Sequence, residues 1–89
     1  MTVVSAPSKQ ALCALMERFV RGDDRSLALS GEIEVALDHN YGEREPFADL
    51  CLALASYRPG GGPYLYDEDS IVPMMKRVLE DMRRQGDCS

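Results

Sequence analysis

The chain has little with which to hold a metal or build a reactive centre. It contains one histidine, His39, and three cysteines, Cys13, Cys51 and Cys88, no two of them close in sequence. An odd number of scattered cysteines fits neither a secreted disulfide framework nor a four-ligand zinc site, so reduced thiols and no metal or other cofactor are expected. Long apolar runs are missing as well. Every hydrophobic stretch is broken by a charge, a glycine or a proline before it reaches the roughly 18 residues that a membrane span requires. The opening residues, Met1 to Pro7, lack the basic start and apolar stretch of an export signal, and the expected compartment is the cytoplasm.

What is there reads as one domain of 89 residues, 45% hydrophobic and 28% charged. The apolar share is ordinary for a folded protein. A chain of this size removes about 60 to 65% of its unfolded surface from water, which supplies one core but no two-lobed catalytic cleft. Ten basic residues against fifteen acidic ones leave a net charge of −5, and the charge is unevenly placed. Residues 1–31 and residues 70–89 each carry +1, whereas residues 32–69 hold nine acids against only Arg44 and Arg58, a net of −7. Such a segment repels nucleic acid and anionic lipid and attracts a basic partner. A solvated acidic face that merely keeps the protein soluble has the same composition.

Four segments have helical periodicity, which predicts an all-α, antiparallel four-helix bundle over residues 1–89 with its ordered core at about 8–84. The first runs from about Ser8 to Arg21, where Leu12, Leu15, Met16, Phe19 and Val20 form one stripe before Gly22. Ser26 caps the second, whose face of Leu29, Ile33, Ala36 and Leu37 continues toward His39 and closes at Asn40-Tyr41-Gly42. Gly31 inside that segment weakens the helix and suggests close approach of a neighbour. Pro46 suits a first turn, and the stretch from Phe47 to Ala55 bears one charge, Asp49, so it is expected to be the most enclosed helix. The last helix is expected to start near Ser70 with Pro73 in its first turn, burying Ile71, Met74, Met75, Val78, Leu79 and Met82.

Catalytic ingredients are thin. Cys13 and Cys51 fall among apolar residues and read as packing, Cys88 as a tail thiol, and His39 as a cation near a helix C-terminus. Gly60-Gly61-Gly62 lacks the Gly-Lys-Ser/Thr ending of a phosphate loop and follows a helix, so it reads as a flexible turn. Glu43 and Glu45 read as surface carboxylates. Asp67, Glu68 and Asp69 lack the ligand spacing of a calcium loop, and serve helix capping, partner binding or both. Tyr41, Tyr64 and Tyr66 stand beside these acids in expected loops, a combination of aromatic anchors and charged rim common at protein interfaces. Tyr66 alternatively covers the end of the core with its hydroxyl in water, and Tyr57 belongs to the core.

Leu29-Ser30-Gly31-Glu32-Ile33 leading to Tyr41-Gly42, Phe47-Ala48-Asp49-Leu50 through Ala55-Ser56-Tyr57-Arg58-Pro59, Tyr64-Leu65-Tyr66-Asp67-Glu68-Asp69, and Val78-Leu79-Glu80 give a distributed pattern over about residues 10–84. It resembles the family of colicin D immunity proteins. The resemblance implies a single-domain antiparallel four-helix bundle, not an enzyme, that binds one cognate tRNA-cleaving toxin domain and covers its active site. A basic, phosphate-gripping cleft would accept an acidic surface that imitates the phosphate array. The resemblance carries over an acidic surface, not individual contacts; the acids of the middle segment and the tyrosines beside them, Asp38, Tyr41, Glu43, Glu45, Tyr64, Tyr66, Asp67, Glu68 and Asp69, are the residues expected to bind the toxin, with no direct contact to nucleic acid or membrane. Where the family's loop after the third helix is acid-rich, this chain has Gly60-Gly61-Gly62-Pro63, and its acids flank that loop. A different class also fits the composition: a small acidic adaptor or antirepressor bound to a basic regulatory protein.

Overall fold

Side-chain caps at Ser8, Ser26 and Asp67 and positive-φ glycines at Gly22, Gly42 and Gly86 bound three of the four helices. In the computed structural model, which describes residues 8–59 and 66–88, the elements are α1 (Lys9–Arg21), α2 (Leu27–Tyr41), α3 (Phe47–Ala55) and α4 (Glu68–Gln85). Ser8 Oγ accepts the Ala11 amide at 3.2 Å and Ser26 Oγ accepts the Leu29 amide at 3.2 Å, each satisfying a donor that the helix cannot pair internally. Gly22 ends α1 at φ 84°, a backbone state that a Cβ disfavours. The turn that follows is tied down on both sides. Arg25 donates to the last-turn carbonyls of Phe19 (2.8 Å) and Val20 (2.9 Å). The Ser26 amide donates to Asp24 at 2.9 Å and, together with its hydroxyl, holds that carboxyl below its ordinary range.

Each helix packs against two others, in the order α1–α2–α3–α4 and back to α1. Specific contacts give the directions. Lys9 approaches Asp87 while Glu17 meets Arg83, so α1 and α4 run oppositely. Tyr41 stacks on Phe47 while the Cys51 thiol donates to the Glu34 carbonyl, so α2 and α3 form a hairpin. The all-α bundle predicted from periodicity is therefore the observed fold. Its core is formed by Leu12, Met16, Phe19, Ile33, Leu37, Leu50, Leu54, Ile71, Met75 and Met82 with their neighbours, and is closed by an aromatic pair at each end. Phe19 and Tyr57 meet edge to face at 5.3 Å, and Tyr41 and Phe47 stack at 3.7 Å.

Several expectations need correction. Cys13 and Cys88 form a disulfide with their Cα atoms 5.9 Å apart, so they are neither a packing thiol nor a free tail thiol; Cys51 alone keeps its thiol. A span of 75 residues hides that proximity in the sequence. Helix α4 starts two residues before Ser70, because Asp67 accepts the Ser70 amide at 3.0 Å and takes the capping role. Pro73 consequently lies in the second turn, not the first, where it withholds one amide from the helix ladder. Gly31 does not mark a close approach, since a Cβ there would meet open space and α2 runs through it unbroken. Nor is α3 enclosed: with only α2 and α4 beside it, its third side faces water and Leu52 is 72% exposed.

Candidate partner-binding surface

The acids divide by element. From α2 through α3 the chain carries Glu32, Glu34, Asp38, Glu43, Glu45 and Asp49 against Arg44 alone, a net of −5. Among the described residues, no acid on α2 or α3 lies within 4 Å of a cation, whereas α1, α4 and their adjoining turns hold five such pairs. Arg44 does not offset the field of this hairpin from its middle; it lies over the rings of Tyr41 and Phe47 at one end. The charge map read from the sequence thus becomes a surface whose acids on α2 and α3 form no ion pair among the described residues.

Residues singled out from the sequence fall at two ends of the bundle. Asp38 is exposed in the last turns of α2, with Glu43 and Glu45 exposed in the α2–α3 connection. Tyr66, Asp67, Glu68 and Asp69 lie at the opposite end, beyond the C-terminus of α3. Nine residues of helix separate them by about 13 Å. Tyr64 and the triglycine turn lie outside the described residues.

Tyr41 is the clear departure from an exposed anchor. It is 4% exposed, its ring is stacked on Phe47, and its hydroxyl donates to Asp87 at 2.7 Å. Burial, together with that carboxylate, pushes its phenol well above the ordinary tyrosine range. The signal was present in the sequence, since Ile33, Leu37 and Tyr41 repeat every four residues on the buried face.

At the far end, the backbone of Tyr66 is pinned to the chain leaving α3. Its amide donates to the Ser56 carbonyl and its carbonyl accepts the Arg58 amide, both at 3.0 Å. The ring remains 41% exposed. Asp67 is occupied as the α4 cap, and Glu68 lies 3.4 Å from the hydroxyl of buried Tyr57, which donates at 2.7 Å to the Arg25 carbonyl. Asp69 is the exposed acid of the three. Capping and display are thus split among neighbouring residues.

Two surface residues escaped the sequence reading of the site: Leu52 and Asp49. Phe47, Leu50, Ala53 and Leu54 point α3 into the core, which leaves Asp49 and Leu52, three apart, on the outer side. That spacing was the available clue. The Cys51 thiol is pushed up by burial and then by Glu34 and Asp38, which keeps it protonated, and His39 stands exposed at the end of α2. Among the described residues, no three His, Cys, Asp or Glu side chains gather as a metal site requires, and no helix is long and apolar enough to cross a membrane. No family model, curated protein or solved structure matches the chain.

Proposed function

We propose that this protein is an immunity protein: it binds a basic, tRNA-cleaving nuclease toxin domain one to one and blocks its active site without catalysing a reaction. The observation that supports this reading is the absence of any cation within ion-pair distance of the acids on α2 and α3 among the described residues, while α1, α4 and their adjoining turns hold five ion pairs. Carboxylates left without internal counter-ions project a field that accelerates encounter with a cationic surface. A cleft that holds tRNA through phosphate contacts is such a surface. Asp38, Glu43, Glu45 and Asp49 toward one end, with Asp69 at the other, would stand in for phosphates.

The test is inhibition of tRNA cleavage. The purified protein, added at equimolar concentration to the nuclease domain encoded by an adjacent toxin gene, should abolish cleavage. Asp38→Asn with Glu43→Gln and Glu45→Gln should weaken inhibition while leaving the thermal transition in place. Full cleavage in the presence of excess protein would refute the proposal. Binding to a basic transcriptional regulator instead would assign the protein to the adaptor class.

A further inference from the structure

Between α3 and α4 lie two hollows that share Asp49 and Met74, and so make one furrow. One, of about 230 Å³, begins at Pro46 and Arg77; the other, of about 450 Å³, ends at Ser56 and Tyr66. The second has an apolar wall: Leu52 and Met74 with Tyr66 at its end. Leu52, at 72% exposure, is the most exposed large hydrophobic side chain of the described residues. An isolated exposed leucine needs no explanation. A leucine and a tyrosine on the same hollow, the tyrosine backbone fixed by two hydrogen bonds to the end of α3, form an anchor whose backbone is already placed before binding.

The charges around the furrow indicate what enters it. Asp49 lines both hollows, and exposed Asp69 lies one turn before Pro73 on α4. Arg77 stands only at the Pro46 end. An occupant with a cationic group beside a large apolar side chain complements the Tyr66 end, and its carbonyl or carboxylate oxygens complement the Arg77 end. The α1–α4 hollow offers no such match to a cationic segment, because Glu17, Arg21, Lys76, Glu80 and Arg83 alternate in sign around it and Arg83 already pairs with Glu17 at 3.0 Å.

We infer that the α3–α4 furrow seats a basic segment of the nuclease domain, with one large apolar side chain held between Leu52, Tyr66 and Met74 and a Lys or Arg against Asp49. This rests on the proposed function for the identity of the partner and adds where the partner's anchor sits. The acids govern how often the proteins meet; the anchor governs how long they stay.

The experiment measures affinity and dissociation rate of the adjacent toxin gene's nuclease domain against wild type, Leu52→Ser with Tyr66→Ala, and Val35→Ser as a control. Val35 is also exposed, at 58%, but lies on α2 outside the furrow. Circular dichroism verifies that each variant is folded. The furrow variant should dissociate at least about 30-fold faster, with association little changed, and the Val35 variant should match wild type. If wild type binds and the furrow variant binds equally well, the furrow assignment fails and the immunity reading stands. If wild type does not bind at all, both fall. A wild-type dimer in sedimentation that Leu52→Ser dissolves would show a second copy to be the occupant, and would also overturn the assignment.

Discussion

Where α1 meets α4, charges of both signs are present and several are paired within the molecule. Glu17 pairs with Arg83, Lys9 approaches Asp87, and the Cys13–Cys88 bond fastens the same seam covalently. Where α2 meets α3, the seam is held by Tyr41 on Phe47 and by buried aliphatic contacts, and among the described residues its carboxylates form no ion pair. One half of the bundle uses its polar groups to hold itself together, and the other leaves them to solvent. Charge that contributes nothing to the fold is available for a partner, at a small cost in self-repulsion.

The largest expected effect strengthens that contrast. Replacing Cys13 and Cys88 with Ser removes a crosslink spanning 75 residues, and the chain-entropy model puts the loss at about 4 kcal/mol, readable by urea denaturation. Cys51→Ser, on the other seam, should shift stability by less than about 1 kcal/mol. Next is Tyr41→Phe, which deletes the hydrogen bond to the Asp87 carboxylate. A loss of about 2 kcal/mol is expected, since the acceptor is charged.

The other aromatic end gives a smaller and pH-dependent effect. Burial, then Glu68, pushes the Tyr57 phenol up to about 12. Its folded form therefore keeps its proton after the unfolded chain has lost it. This contribution is fully present below the unfolded value near pH 10 and is lost as pH rises toward 12. Tyr57→Phe should cost about 1 kcal/mol at neutral pH and make the alkaline loss of stability shallower. The smallest effect has the opposite sign. Gly31→Ala on α2 meets no neighbour and should stabilise the protein by about 0.8 kcal/mol in thermal denaturation, through helix propensity alone. Destabilisation there would mean that the open face of α2 is not open.

The helices were legible where local chemistry set their ends. Ser8, Gly22 and Ser26 act within one turn of themselves, and their roles follow from side-chain type. The start of α4 was harder, because Asp67 and Ser70 are both good caps and only the placement of the Ser70 and Ile71 amides, which donate to the Asp67 carbonyl, chooses between them. The charge imbalance was legible because it is a sum over residues. Its division between two ends was not, since residues 38–45 and 66–69 are set apart by the direction of α3. Tyr41 looked like a loop residue because Gly42 follows it; the four-residue repeat through Leu37 outweighed that neighbour. Leu52 was hidden by the apolar composition of α3, which says that a helix is greasy but not how many helices surround it.

The most direct test is the rate at which the protein associates with the proposed nuclease toxin domain as salt is raised, for wild type and for the Asp38→Asn, Glu43→Gln, Glu45→Gln variant. Carboxylates that steer encounter predict a wild-type rate falling by on the order of tenfold between about 50 mM and 500 mM salt, with the variant slower at low salt and less sensitive. A rate indifferent to salt, or a variant that associates as fast as wild type throughout, would contradict the account.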